Sequence, residues 1–248
     1  MFKVYAIMRS LLLATLSLFA TAVTGTAQDA ALLQAEQARG IMTGSTGVQW
    51  TVEVSGTKSA RFVAISQDGK VFAEVFSPED AKGRKYLAEA KGNMWFWKPG
   101  LSRPVSVSKR QRLSGDAAIG DIASTSFVEG YKVDGQESGE VNGEPATVYT
   151  MKSNSLTDTY AMIKYWVTTS GNLGKKAEFY TKTGSLLRTS VMEYANQANG
   201  RPFLSKMVIT DSSRSVTLNF SNIKLGKYPD SMFSRENLGG PRSTGPRK

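Results

Sequence analysis

The sequence predicts a mainly β protein of the α+β class, built on one meandering antiparallel sheet that forms a barrel or part of one. Apolar and polar residues alternate with period two along most of the chain, as they do in half-buried strands. Two-residue turn sequences recur between these runs. Long helices do not alternate with the strands, which argues against a doubly wound α/β fold. We expect about ten or eleven strands, one N-terminal helix and short helical pieces in the middle.

The first 27 residues are typical of a signal peptide. Lys3 and Arg9 are the only charges before Asp29, and an apolar stretch over 10–20 precedes small residues that end at Ala27. This stretch is shorter than the roughly 20 residues that span a bilayer. We therefore expect cleavage near Ala27, export to the periplasm, and a formal charge that falls from +10 to +8. An uncleaved N-terminal anchor is the alternative.

The remaining elements follow in chain order. Asp29 is expected to cap a short helix over 30–39 that ends at Gly40. The clearest strand patterns then occupy 48–54, 71–76, 203–209 and 216–220, and the second of these is apolar on both faces. Hairpin turns are predicted at Asp68-Gly69, Asp134-Gly135, Asn142-Gly143, Thr183-Gly184 and Asn199-Gly200.

The middle of the chain breaks the strand pattern. The stretch 98–112 holds five basic residues and no acid, whereas 116–144 holds seven acids against Lys132 alone. Residues 115–127 lack strand alternation and suit a short helix or loop lying across the sheet.

The C-terminal end is punctuated by proline and glycine. Pro229 is expected to begin a helical turn over 229–233. The last ten residues, 239–248, are rich in Gly, Pro and basic residues, a composition typical of a disordered tail.

The composition excludes several classes of enzyme. The 248 residues include no His and no Cys, so the chain has no imidazole base, no thiolate nucleophile and no Cys-based zinc site. Ser-His-Asp, Cys-His and HExxH sites are thereby ruled out. We expect no enzymatic activity, no catalytic residues, no cofactor and no metal. The acids near the predicted strands and lid are interpreted as solvated surface groups; they are Glu74, Glu79, Asp80, Asp116 and Asp121.

A more specific pattern begins at Gly92-Asn93-Met94-Trp95-Phe96-Trp97-Lys98-Pro99. A turn, an aromatic strand and a closing x-Pro in this order resemble the outer membrane lipoprotein-sorting family, the LolA-like periplasmic carriers. Later segments resemble the same group, in the same order: Lys109–Gly115 with Ile119-Gly120-Asp121, Tyr165-Trp166-Val167 with Lys176–Tyr180, and Pro229–Phe233. The resemblance covers nearly the whole mature chain.

The resemblance implies an incomplete antiparallel barrel, a LolA/LolB-like half-barrel, in which 28–238 would form a lipid- or lipoprotein-binding domain. Helices would act as a lid over an apolar cavity. Such carriers move the acyl chains of lipoproteins or lipids toward the outer membrane without covalent chemistry, between inner- and outer-membrane transfer partners. We expect a monomer that binds no nucleic acid. An envelope-stress sensor or regulatory module of the same fold, bound to a membrane-anchored partner, is the alternative.

The candidate ligand-binding residues are large aromatic and Met side chains on predicted strands, because these suit reversible burial of an acyl chain. They are Trp50, Phe62, Phe72, Phe76, Met94, Trp95, Phe96, Trp97, Tyr149, Trp166, Phe179, Met192 and Met207. The candidate lid residues are Ile119, Ile122 and Phe127, and the candidate headgroup or partner contacts are Lys98, Arg103, Lys109, Arg110 and Arg112. The alternatives are an ordinary core for the aromatic set and a solvated loop, paired in part with the acidic segment, for the basic set.

Overall fold

The computed structural model describes residues 24–56, 58–89, 93–113, 115–155 and 158–239. Most of the predicted signal peptide and the tail 240–248 therefore lie outside the described residues. The strands are β1 Gly47–Ser55, β2 Ala60–Gln67, β3 Lys70–Ser77, β4 Lys85–Ala88, β5 Met94–Trp97, β6 Val105–Ser106, β7 Tyr131–Val141, β8 Glu144–Ser153, β9 Met162–Thr168, β10 Gly174–Tyr180, β11 Leu186–Glu193, β12 Asn196–Ala198, β13 Arg201–Phe203, β14 Lys206–Thr210 and β15 Ser215–Gly226. The α-helices are α1 Thr24–Arg39, α2 Lys109–Arg112, α3 Gly115–Ser124 and α4 Arg235–Leu238, and two 3-10 helices span Glu79–Ala81 and Asp230–Phe233.

The strands form one open antiparallel sheet, which confirms the predicted fold class. Thirteen described strands pair in the order β6-β5-β4-β3-β2-β1-β15-β14-β11-β10-β9-β8-β7, and β12 and β13 form a separate hairpin. The sheet therefore has more strands than the ten or eleven expected. Its first and last long strands, β1 and β15, are neighbours near the middle, while β6 and β7 are the two edges.

The predicted helices are present, with one changed boundary. α3 covers most of the 115–127 segment, and Pro229 precedes a 3-10 helix over Asp230–Phe233. The N-terminal helix begins at Thr24 and ends before Gly40, which has φ +78°. Asp29 therefore lies inside this helix and does not cap it, because the helical backbone continues toward the N-terminus. No described helix is long and apolar enough to cross a membrane.

Three of the five predicted turns form tight hairpins. Asp68-Gly69, Asn142-Gly143 and Asn199-Gly200 have both residues at positive φ, as a two-residue hairpin turn requires. Thr183-Gly184 lies in a longer loop between β10 and β11. The prediction was wrong for Asp134-Gly135, which lies within β7, where the register with β8 shifts by one residue. The Asp-Gly pair, which is typical of a hairpin turn, here forms a β-bulge.

Two faces of the sheet carry different helices, and we name them by these helices. The inner face packs against α1 and α3 through the main hydrophobic cluster, which includes Leu32, Ile122 and Met207. The outer face packs against the C-terminal helical segment, where Phe233 and Leu238 contact side chains of β2–β5. Since successive side chains of a strand point to opposite faces, β2–β5 carry apolar side chains on both sides.

Candidate functional site

A continuous row of apolar side chains crosses the inner face from the core to an exposed edge. The paired positions are Trp50, Ala64, Ala73, Tyr86, Phe96 and Val105, on six neighbouring strands from β1 to β6. We call them the inner row. Trp50 at the start is only 3% exposed, whereas Val105 at the end is 44% exposed. The inner row therefore begins in the core and runs out to a solvent-accessible apolar edge.

Aromatic contacts and α3 shape the exposed half of the inner row. The rings of Tyr86 and Phe96 lie 5.2 Å apart between centroids, in a tilted arrangement. Burial raises the pKa of the Tyr86 hydroxyl, and the carboxylate of Asp116 in α3 adds to this rise. The N-terminal part of α3 is therefore close enough to influence the inner row.

The predicted lid residues lie on α3 and in the turn that follows it, a stretch over 115–127 that we call the lid segment, and all three are buried. Ile119 is 7% exposed, Ile122 is fully buried and Phe127 is 1% exposed. The ring of Phe127 packs edge-on against Tyr165 and Phe179, with centroids 5.4 and 5.1 Å away. These contacts join the lid segment to the floor of the inner face.

A buried ion pair ties this segment to α1. Arg39 donates to Glu36 Oε1 at 2.7 Å, and its guanidinium carbon lies 3.4 Å from the centroid of the Phe127 ring. Arg39 also donates to the carbonyl of Ile122 at 3.0 Å. The other carboxylate oxygen of Glu36 accepts from the Phe127 amide at 2.9 Å. Both charges are therefore paired and hydrogen-bonded, the condition under which burial of charge is tolerated.

Six of the predicted ligand-binding residues contribute to the main cluster of the inner face. They are Trp50, Phe62, Tyr149, Phe179, Met192 and Met207. Two more, Met94 and Phe96 on β5, point to the inner face as well. Of this group, Phe62 and Phe96 are half-buried and the others are buried.

The structure does not bring the other predicted ligand-binding residues to the inner face. Phe72, Trp95 and Trp97 pack in the outer cluster, because their positions in the paired strands β3–β5 alternate with those of the inner row. Trp166 also points to the outer face, with the Lys176 ammonium 4.3 Å from its ring. Phe76 lies at the end of β3 and is 40% exposed. This placement corrects the prediction of a single cavity for the whole set.

The predicted basic contacts divide into surface and buried groups. Lys98, Arg103 and Arg110 are exposed, and Lys109 is half-buried. Arg112 is buried instead, and its Nη1 lies 3.1 Å from Asp121 Oδ1. Its place is thus the interior and not a headgroup surface.

Asp121 likewise departs from its interpretation as a surface acid. It is only 1% exposed. Burial raises the pKa of its carboxyl to about 6, although Arg112 acts in the opposite direction. The two residues join α2 to α3 through the protein interior.

Two cavities lie near these residues. One, of about 470 Å³, is lined by Arg112, by the aromatic residues Phe127, Tyr160 and Phe179, and by several hydroxyl and amide groups; its acidic lining residues are Asp121, Glu129 and Asp158. The other, of about 530 Å³, lies between α1 and the β12–β13 hairpin, where Gln34, Gln37 and Phe203 are among its walls. Both have mixed polar and apolar linings. No group of three or more acidic side chains suited to hold a metal occurs among the described residues.

Sequence reasoning missed the buried charged residues. Glu36 and Arg39 stand three residues apart on α1, a spacing that is equally typical of a solvated surface pair. Arg188 lies in a strand and has no sequence signature, yet it is 6% exposed. Only the packing of α1 and the lid segment on the sheet reveals these positions.

Comparisons with known proteins agree with this architecture. A LolA superfamily protein from Nitrosomonas europaea is 25% identical, with a TM-score of 0.70 over 84% of this chain and 97% of that chain. A structure described as an outer membrane lipoprotein-sorting protein domain from Vibrio parahaemolyticus is 20% identical, with a TM-score of 0.69 over 84% and 96% of the two chains. A DUF1329 family protein from Desulfovibrio piger is 18% identical, with a TM-score of 0.65 over 85% and 98%.

A family model described as "Uncharacterized protein" matches residues 67–239, well over half of the chain. No curated protein matches the sequence. The chain therefore belongs to the family that this model describes, and it has the fold of the LolA superfamily of outer membrane lipoprotein-sorting proteins.

Proposed function

We propose that the protein is a periplasmic, non-enzymatic carrier that binds the acyl chains of lipoproteins or lipids and delivers them toward the outer membrane. The inner row is the observation that carries this proposal. It consists of aromatic and aliphatic side chains, it passes from 3% exposed at Trp50 to 44% exposed at Val105, and the Asp116 carboxylate of α3 acts on Tyr86 within it. The shared fold with the Nitrosomonas and Vibrio proteins supports the same assignment.

The dimensions of the inner row suit an acyl chain. Neighbouring strands lie about 4.8 Å apart, so six strands give a row of roughly 24 Å. The acyl chains of one leaflet occupy half of a hydrocarbon core about 30 Å thick. Each CH₂ group withdrawn from water contributes about 0.8 kcal/mol, so contact along part of the row is enough to hold a chain outside a membrane.

The exposed basic residues support contact with an anionic surface during transfer. Lys98 and Arg103 flank the turn that joins β5 to β6, where the inner row ends at Val105. A Lys or Arg near an anionic membrane surface contributes about 1 kcal/mol. An acidic patch on a transfer partner would attract the same residues.

The test compares two exposed apolar residues in the full chain. Val105→Asp places a charge at the open end of the inner row, whereas Leu186→Asp places one at a 52% exposed position outside it. We expect Val105→Asp to weaken binding of a fluorescent fatty acid by roughly tenfold, because a charge next to a bound acyl chain must be desolvated. Leu186→Asp should bind as the unaltered protein does.

Native mass spectrometry of the protein isolated from its own periplasm provides the second measurement. A carrier should retain lipid masses that the Val105→Asp variant loses. Absence of any lipid, together with absence of fatty-acid binding, would contradict the carrier function. Equal binding by the two Asp variants would exclude the inner row as the acyl site.

A further inference from the structure

The cavity of about 530 Å³ between α1 and the β12–β13 hairpin is separate from the inner row, and we call it the hairpin cleft. Its apolar walls come from Val48 of β1, Leu173 before β10, Phe203 of β13 and Leu225 of β15. Val48 and Phe203 are buried, whereas Leu173 and Leu225 are half-buried. The hairpin cleft therefore offers apolar surface that a ligand can reach.

The remaining walls of the hairpin cleft are polar and carry one charge. The lining residues with polar side chains are Gln34, Gln37, Thr43, Thr46, Asn199 and Arg201. Among the described residues that line the cleft there is no Asp or Glu. Arg201 is exposed and makes no ion pair with any residue that the structure describes. A ligand would thus meet a guanidinium whose charge is not compensated by the protein.

Hydrogen bonds hold the walls in position without a ligand. The Leu204 amide donates to the carbonyl of Ala38 at 3.0 Å, which ties the base of the hairpin to α1. Asn196 Nδ2 donates to the Leu204 carbonyl at 2.8 Å. On the other side, Asn172 Nδ2 donates to Gln34 Oε1 at 2.7 Å and ties the turn before β10 to α1. A preformed cleft of this kind loses little conformational freedom when it binds.

The charge of the hairpin cleft differs from that of the cavity of about 470 Å³. That cavity is lined by Asp121, Glu129 and Asp158 against Arg112 alone. An anion is therefore disfavoured there and favoured beside Arg201. The two cavities should select ligands of opposite charge.

We propose that the hairpin cleft binds a small carboxylate amphiphile, an acid that carries a short aliphatic chain. The carboxylate would contact Arg201 and the neighbouring carboxamides, because a guanidinium matches a carboxylate in both charge and geometry. The chain would cover Leu173 and Leu225. A largely apolar cavity of roughly 300–1,000 Å³ with a few polar groups is typical of small-ligand sites. This site lies outside the inner row and does not depend on the carrier function.

The test titrates the full chain with hexanoate and follows the backbone amides by ¹H–¹⁵N NMR. Hexanol tests the need for the charge, acetate the need for the chain, and hexylammonium the sign of the charge. Hexyl phosphate tests whether the site prefers a carboxylate. We expect hexanoate to bind most tightly of the five, with its shifts centred on α1, the β12–β13 hairpin and the turn before β10.

Variants at exposed positions test the role of the charge. Arg201→Gln should weaken hexanoate binding by roughly fivefold, the contribution of one exposed ion pair. Arg61→Gln is the matched control, because it removes the same charge from an exposed pair with Glu53 outside the cleft. Thr46 is exposed at the cleft wall, so Thr46→Glu should weaken binding and Thr46→Lys should strengthen it. Substitutions at such surface positions leave the fold intact.

The same variants distinguish this site from the proposed acyl site. Val105→Asp should bind hexanoate in the hairpin cleft as the unaltered protein does, since Val105 does not line it. A protein that binds hexanoate through Arg201 but fails to bind a long fatty acid would contradict the carrier function and leave the hairpin cleft assigned.

Four results would overturn the proposal. They are the absence of saturable hexanoate shifts, shifts centred outside the hairpin cleft, equal binding of hexanol and hexanoate, and equal hexanoate affinity of Arg201→Gln and Arg61→Gln. Tighter binding of hexyl phosphate than of hexanoate would overturn the assignment of a carboxylate.

Discussion

Replacing Glu36 by Gln should destabilise the protein far more than the same substitution at Glu53. Glu36 is fully buried and Arg39 is 2% exposed. The carboxylate accepts from Arg39 at 2.7 Å and from the Phe127 amide at 2.9 Å. In Glu36→Gln one of these acceptors becomes an NH₂ group, so a buried arginine or a buried amide must lose its partner.

The magnitude follows from the burial of the pair. Removal of one partner from a buried ion pair costs about 3–5 kcal/mol, because the other charge remains uncompensated. The Glu53–Arg61 pair joins side chains that are 53% and 60% exposed, and such surface pairs contribute less than about 1 kcal/mol. In a domain of this size 1 kcal/mol shifts the thermal midpoint by roughly 2–4 °C, so the two variants should differ by about 10 °C.

Thermal unfolding followed by circular dichroism measures the midpoints of both variants under one condition. Equal midpoints for Glu36→Gln and Glu53→Gln would refute the reasoning, since they would mean that the Arg39 guanidinium finds water or another partner. A further variant, Phe127→Leu, should lose the stacking contact with Arg39 while keeping its backbone amide bonded to Glu36. It should therefore cost less than Glu36→Gln.

Two further predictions concern pH and packing. The pKa of the Asp121 carboxyl is raised to about 6 in the folded protein from an ordinary value of 3.8, so the folded state binds this proton more tightly than the unfolded state does. The stability that this proton contributes is therefore lost as the pH rises from about 4 to 6. Between pH 5 and 7.5 the loss is on the order of 1 kcal/mol. Asp121→Asn should flatten this part of the profile in urea unfolding, and an unchanged slope would assign it to another group. Gly174→Ala should destabilise the protein by about 1–3 kcal/mol, because the added Cβ would lie 1.8 Å from the buried Tyr165 hydroxyl. Gly120→Ala in α3 is the control, since its added Cβ would have no atom within 4 Å. This variant should have an equal or higher thermal midpoint.

The sequence predicts local structure well where a residue pair strongly favours one backbone conformation. Asn142-Gly143 forms the expected hairpin turn because both residues adopt positive φ. Asp134-Gly135 has the same signature but forms a bulge, since β7 continues past it and pairs with β8 on both sides of the shift. Local composition cannot distinguish a turn from a bulge when long-range pairing decides.

The candidate site was predictable only in part, because the alternation along a strand does not identify the face that binds a ligand. Period-two alternation correctly separates Phe96 from Trp95 and Trp97, but it does not say which face holds the ligand. Both faces of β2–β5 carry large apolar residues: the outer ones pack against the segment around Phe233, and the inner ones belong in part to the main cluster. The choice between the faces depends on helices that are distant in sequence.

The pairing of β1 with β15 governs when this protein can finish folding. Gly47 pairs with Gly226, so almost the entire described chain separates two strands that are neighbours in the middle of the sheet. Contacts of such sequence separation form slowly, because loop closure must precede them. A chain still emerging from a ribosome lacks β15 and cannot close the sheet, so completion of the fold must follow release of the C-terminal strand.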